Sequence, residues 1–145
     1  MITVLLVPLV TPHLDGGEDK IIDDYLIDFG YSPEKITSKD KVTLAFNLVN
    51  KTTQEVIEPS NVWIRISSSK EVVFAGTFKP QAQHITFTYK FPYADKYTID
   101  ARFSDEIRTL TQTNFNLNVK KNYVKYIITL IIILLLSLIY KRYKK

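Results

Sequence analysis

The sequence predicts an all-β fold, a seven-stranded antiparallel immunoglobulin-like β-sandwich, followed by one C-terminal transmembrane α-helix. Three observations carry this expectation. Between residues 25 and 119 apolar side chains recur with a period of two and not 3.6, the repeat that puts alternate residues on opposite faces of a strand. Turn-forming residues stand where each alternation stops. After residue 119 the pattern changes to an uninterrupted apolar run flanked by lysines.

The strands follow in order. Tyr25, Ile27 and Phe29 alternate with Leu26 and Asp28, and Ser32-Pro33 closes the first strand. Val42, Leu44, Phe46 and Leu48 form the inward set of the second, which ends in the polar segment Asn50 to Thr53. Val62, Ile64 and Ile66 define the third, with Trp63 and Arg65 in the opposite phase, so Trp63 is expected on the outer surface. The short apolar run Val72 to Phe78 is the fourth. Ile85, Phe87, Tyr89 and Phe91 oppose Thr86, Thr88 and Lys90 in the fifth. Tyr97, Ile99, Ala101 and Phe103 make the sixth, and Tyr97 stands where a tyrosine corner is expected. Thr111, Thr113, Phe115, Leu117 and Val119 complete the seventh. Seven short strands with one apolar face each are the pattern of a sandwich whose two sheets bury those faces against one another.

The ends differ from this middle. Residues 1–12 (MITVLLVPLVTP) read as a signal-like apolar segment, too short to span a bilayer; a first β-strand is the alternative. Residues 13–24 read as an acidic linker, residues 25–119 as the sandwich, and residues 120–145 as a transmembrane helix with a basic cytoplasmic tail. Tyr126 to Tyr140 is free of charge, about 22 Å of helix at ~1.5 Å per residue. Tyr123, Tyr126, Tyr140 and Tyr143 flank it as an interfacial belt would.

Charge divides at the same boundary. The 145 residues carry 19 Lys plus Arg against 15 Asp plus Glu, a formal net charge of +4. Residues 13–119 contain 12 basic and 15 acidic side chains, whereas residues 120–145 contain 7 basic and no acidic ones. The basic excess therefore belongs to the tail and reports topology, with the domain outside the cell membrane and the C-terminus in the cytoplasm. An acidic domain is a poor match for a polyanion, so nucleic acid is not expected as a partner.

The runs YLIDFGYSP, KVTLAFNLVN, VWIRIS and FTYKFPYADKYTIDARF resemble the membrane-anchored β-sandwich domains of the YtkA-like and FixH-like type, over roughly Tyr25 to Phe103. The resemblance implies an extracytoplasmic domain beside a membrane complex, in some relatives connected with copper or respiratory-oxidase assembly. It is a likeness of fold, and function does not follow from a sandwich alone.

Chemistry is sparse. With no cysteine and a single methionine, at position 1, thiolate metal sites, disulfides and cysteine nucleophiles are excluded. No phosphate-binding glycine loop or nucleophile elbow occurs, and no enzyme activity is expected. The segment HLDGGEDKIIDD is the sharpest candidate. Cleavage before His13 would expose an α-amine beside an imidazole, a chelate suited to Cu(II), with His84 and one of Asp23 or Asp24, here Asp24, completing the set; the alternative is a solvated linker with no metal and no cofactor. Asn50-Lys51-Thr52 is an N-glycosylation sequon in a turn. Trp63, Tyr31 and Tyr93 are the candidate partner-binding aromatics. The expected function is a membrane-anchored extracytoplasmic binding or assembly module, held in the lipid bilayer and contacting a membrane or envelope protein, with copper-linked accessory work as one form of it. A structural or adhesive surface domain without ligand chemistry is the alternative.

Overall fold

The computed structural model describes residues 14–143 apart from 82 and 107. Its strands are β1 (Gly16–Ile22), β2 (Tyr25–Ser32), β3 (Lys41–Asn50), β4 (Asn61–Ser67), β5 (Val72–Phe78), β6 (Ile85–Lys90), β7 (Asp95–Ser104) and β8 (Thr109–Val119), and one helix, α1 (Val124–Tyr143), follows. They form two four-stranded antiparallel sheets, ordered β1-β2-β3-β6 and β5-β4-β7-β8. The signal-like segment 1–12 lies outside the described residues.

Among the described residues the fold is all-β with eight strands, not seven. All seven expected strands are present, and the eighth is β1, inside the segment expected to be a linker. Its sequence, GGEDKII, has little apolar alternation because β1 is an edge strand, paired on one side only with β2. Edge strands are kept charged, which suppresses pairing with other chains. Asp23 and Asp24 alone connect β1 to β2, and Asp23 takes the left-handed conformation with φ 52°, which aspartate tolerates better than most side chains.

The apolar phases meet as expected between the sheets. Ile27, Phe29, Val42, Leu44, Phe46 and Leu48 from the first sheet pack with Val62, Ile64, Ile66, Ile99, Phe103 and Phe115 from the second, all at most 1% exposed. Phe29 and Phe46 stack at 4.8 Å, and Phe115 from the facing sheet sits 4.6 Å from Phe29 and 6.2 Å from Phe46. Near the other edge Phe87 of β6 stacks on Phe78 of β5 at 4.6 Å. Aromatic contacts at these distances add to the burial of area, and they hold the sheets together where no disulfide exists. Tyr97 is fully buried, and its hydroxyl donates to the Tyr93 carbonyl at 2.8 Å. That bond closes the corner between β6 and β7 that the sequence suggested.

The helix is less than expected. Among the described residues no helix is long and apolar enough to cross a membrane, so the transmembrane helix expected from the sequence is not supported. The 15 uncharged residues are shorter than a ~30 Å hydrocarbon core, and lysines begin at both ends. What α1 does present is an apolar surface on every side, with Tyr126, Ile127, Ile128 and every apolar residue from Leu130 to Leu136 more than half exposed.

Candidate functional site

A hollow of about 840 Å³ opens on the outer face of the first sheet, built by rows of residues that run across its strands. Strand register places Asp19 of β1 opposite Asp28 of β2, and Asp28 opposite Asn47 of β3. His84, immediately before β6, continues this row beyond Asn47 in the β3–β6 register. The adjacent row is Gly17, Gly30, Ala45 and Thr86. Two glycines and an alanine in line, ended by Thr86, leave the depression, because a sheet surface with little or nothing beyond Cα lies lower than its neighbours.

Gly17 is needed for close approach, and Gly30 lies tightly under Leu14. A Cβ on Gly17 would lie 2.6 Å from the Phe29 carbonyl oxygen, and one on Gly30 would lie 3.0 Å from Leu14 Cδ1, which folds over that position. Gly17→Ala is therefore expected to push β1 off β2, at a cost of about 1–3 kcal/mol. Hydrogen exchange of the β1 amides measures it directly, and β1 protection equal to that of the unsubstituted chain contradicts the packing described.

The hollow is rich in acceptors. Asp15, Glu18, Asp19 and Asp28 line it and no Lys or Arg does, among the described residues. Asn47 Nδ2 donates to Asp28 Oδ2 at 3.0 Å, while Asn47 Oδ1 is buried without a hydrogen-bond partner. At the lower rim the Ser32 hydroxyl donates to the Asp15 carboxylate. A group that enters here meets carboxylates, of which Glu18 is already paired with Lys20 at 3.4 Å, a lining that complements hydrogen-bond donors and positive charge.

The copper expectation is not assembled by these residues. His13 lies outside the described residues. Asp24 stands in the β1–β2 turn beside Lys51, whose N–H it accepts at 2.9 Å. That is four residues along β3 from Asn47, the neighbour of His84, or roughly 13 Å at ~3.3 Å per residue, with further separation across the strands. Metal–ligand bonds need about 2 Å, and among the described residues no three His, Asp or Glu side chains are grouped to hold a metal ion. His84 and Asp24 do not fit a shared ion.

The three candidate aromatics do not share a surface. Trp63 lies on the outer face of the second sheet, half-buried, with the Arg102 and Arg65 guanidinium groups 4.9 Å and 5.7 Å from its ring. Tyr31 packs against Gly16, where a Cβ would come within 2.5 Å of the ring. The Tyr93 hydroxyl shares a hydrogen bond with Ser68 at 2.7 Å and donates to Glu71 at 3.0 Å, tying two loops together. Tyr31 and Tyr93 thus serve the fold. Asn50 accepts the Thr52 and Thr53 N–H groups through Oδ1 at 2.9 Å and 3.0 Å, so the sequon forms a turn closed by its own asparagine.

Sequence reading reached His84 and the acidic segment but not the row that joins them, because Asp19, Asp28, Asn47 and His84 become neighbours only through strand pairing. The one local signal was the small-residue pattern of Gly17, Gly30 and Ala45 in otherwise bulky strands. No protein-family model matches the chain, and no curated protein matches it significantly, so the resemblance to YtkA-like and FixH-like domains has no support from these comparisons.

Proposed function

We propose that this protein is a membrane-tethered binding module, an immunoglobulin-like sandwich held on the outer side of a cell membrane by α1. The observation that carries the reading is the all-round apolar exposure of α1 beyond a sandwich that has already buried its own core. A helix of this kind is stable only when something apolar covers it, and flanking lysines and tyrosines favour lipid as that cover. The strand order, with β2, β3 and β6 facing β5, β4, β7 and β8, and the Tyr97 corner support the immunoglobulin-like assignment.

The hollow is the partner site in this reading. Its acceptor lining takes a cationic, donor-rich side chain of a membrane or envelope protein. Two experiments test the proposal. A chain ending at Asn122 is expected to move from the membrane fraction to the soluble one, and protease added to intact cells is expected to cut the domain. Retention of the shortened chain on membranes, or a domain protected until lysis, overturns the tethering or the topology. For the site, Asp28→Lys is expected to abolish co-purification of a partner that Asn116→Lys, on the opposite sheet, leaves intact; equal recovery with both variants refutes the hollow and favours a domain without ligand chemistry.

A further inference from the structure

The exposed lysines of the sandwich are not spread evenly, and the strand directions show where they gather. Strand β8 ends at Val119 and α1 begins at Val124, so the base of the domain lies within about 18 Å of the helix even if the connection is fully extended. The connection is also held to the domain. Lys120 N–H donates to the Ile36 carbonyl at 3.0 Å, the Lys120 carbonyl accepts Ser38 N–H at 2.9 Å, and Asn122 Nδ2 donates to Asp40 at 3.4 Å. The same end of the sandwich holds the start of β3, the end of β6, the start of β7 and the loops before β3 and β5.

Eight exposed lysines stand there. Lys35 and Lys39 lie in the loop before β3, Lys70 in the loop before β5, and Lys120 and Lys121 in the exit segment, while Lys41, Lys90 and Lys96 sit on strand ends. The five carboxylates at this end, Asp15, Glu34, Asp40, Glu71 and Asp95, are too few to neutralise them. Among the described residues none of these lysines forms an ion pair, since the two ion pairs present are Lys20 with Glu18 and Arg65 with Asp100. Four of the five carboxylates are hydrogen-bonded to neutral donors: Asp15 with Ser32, Asp40 with Thr37, Glu71 with Tyr93, and Asp95 with Ser69 at 2.6 Å, where Lys70 acts only as a more distant charge.

Lys41 and Lys90 are directly opposite one another in the β3–β6 register. Like charges in that position repel and weaken the pair, a cost that an external anion removes. The far end has the reverse balance, with Asp23, Asp24, Glu55, Glu58, Asp105 and Glu106 against three basic side chains. The domain is net acidic and yet turns its positive pole toward α1.

We propose that this lysine collar docks the base of the sandwich on the anionic headgroups of the membrane that holds α1, which sets the tilt of the domain and turns the acidic end outward. The proposal rests on the reading of α1 as a lipid-seated helix. A negative surface potential attracts lysines only within about a Debye length of the surface, roughly 8–10 Å, and the short, tethered connection keeps the base within reach of that layer.

The full chain is reconstituted into vesicles of phosphatidylcholine alone and of phosphatidylcholine with about a third phosphatidylglycerol, and backbone hydrogen exchange is read in residues 33–40, 67–71 and 90–96. Exchange in these segments is expected to slow by about fivefold or more in the anionic vesicles at low salt and to return to the phosphatidylcholine rate at high salt. The variant Lys41→Gln/Lys90→Gln/Lys96→Gln changes only exposed side chains and is expected to abolish the difference while its thermal unfolding midpoint is equal or slightly higher, since the Lys41–Lys90 repulsion is relieved. Equal exchange in both vesicle types, with the chain floating with both, overturns the collar alone. Failure of the full chain to float with phosphatidylcholine vesicles overturns the tethering and the collar together.

Discussion

Phe115→Ala is expected to destabilise the sandwich by about 3–5 kcal/mol. Phe115 is fully buried on β8 and contacts both Phe29 and Phe46 of the opposing sheet, so its loss opens a cavity between layers that no neighbouring side chain can close without moving a strand. Lys20 adds to the cost. Its ammonium lies 5.2 Å from the Phe115 ring centre and donates to the Asn114 carbonyl at 2.6 Å, clasping β1 to β8 across the open side of the sandwich. A domain of this size has only about 5–15 kcal/mol in total, and no disulfide limits its unfolded state. The expected result is a midpoint lowered by about 15 °C or more in a thermal melt followed by circular dichroism. Gln112→Ala, on the same strand but facing outward, is expected to change stability by no more than about 0.5 kcal/mol. Similar melts for the two variants would mean that the layers are not joined through this ring.

The strands that sequence reading found are those with a buried face and a solvated one, because only they display the alternation. Val42 to Leu48 on β3 and Thr111 to Val119 on β8 carry the period without a break, and both lie where expected. Strand β1 escaped because its outward neighbours are water and charge, so nothing selects apolar residues at alternate positions. The two-residue turn Asp23-Asp24 between KII and YLI was the available hairpin signal. Trp63 was placed correctly on the outer face by phase alone, but its arginine cover depends on Arg102 of β7, which only register brings opposite it.

The site was legible only in parts for the same reason. His84 and the acidic segment are visible as residue types, whereas the row Asp19, Asp28, Asn47 and His84 is a property of three strand pairings together. Charge behaves alike. Its division between domain and tail is linear in sequence, but the division between the two ends of the domain is not, since the far-end acidic stretches 23–24, 55–58 and 105–106 separate the base lysines into the groups 35–41, 70–96 and 120–121. Antiparallel strands sort them by reversing direction at every turn.

Tyr97 gives the second large effect, and pH exposes it. Burial raises its hydroxyl from the ordinary value of 10.0 to about 12, with the Asp95 charge acting in the same direction. In the unfolded chain the phenol loses its proton near pH 10, while in the folded chain it keeps it to about pH 12, so above pH 10 the unfolded state binds fewer protons and stability falls as pH rises. The contribution is complete below pH 10, declines through the interval up to about 12, and amounts to roughly 2–3 kcal/mol at ~1.4 kcal/mol per unit. At neutral pH Tyr97→Phe is expected to cost about 1–2 kcal/mol, because the Tyr93 carbonyl loses its 2.8 Å donor at a corner sealed from water. The two effects oppose one another: Tyr97→Phe removes both the corner bond and the alkaline penalty. The stability difference between the chains should therefore shrink through this interval and reverse near its upper end. Urea titrations of both at matched pH test this, with the other tyrosines, including Tyr89 whose hydroxyl burial also raises, cancelling in the comparison. A constant difference from about pH 9 to about pH 12 would show that the Tyr97 hydroxyl titrates alike in both states, and the buried corner would have to be abandoned.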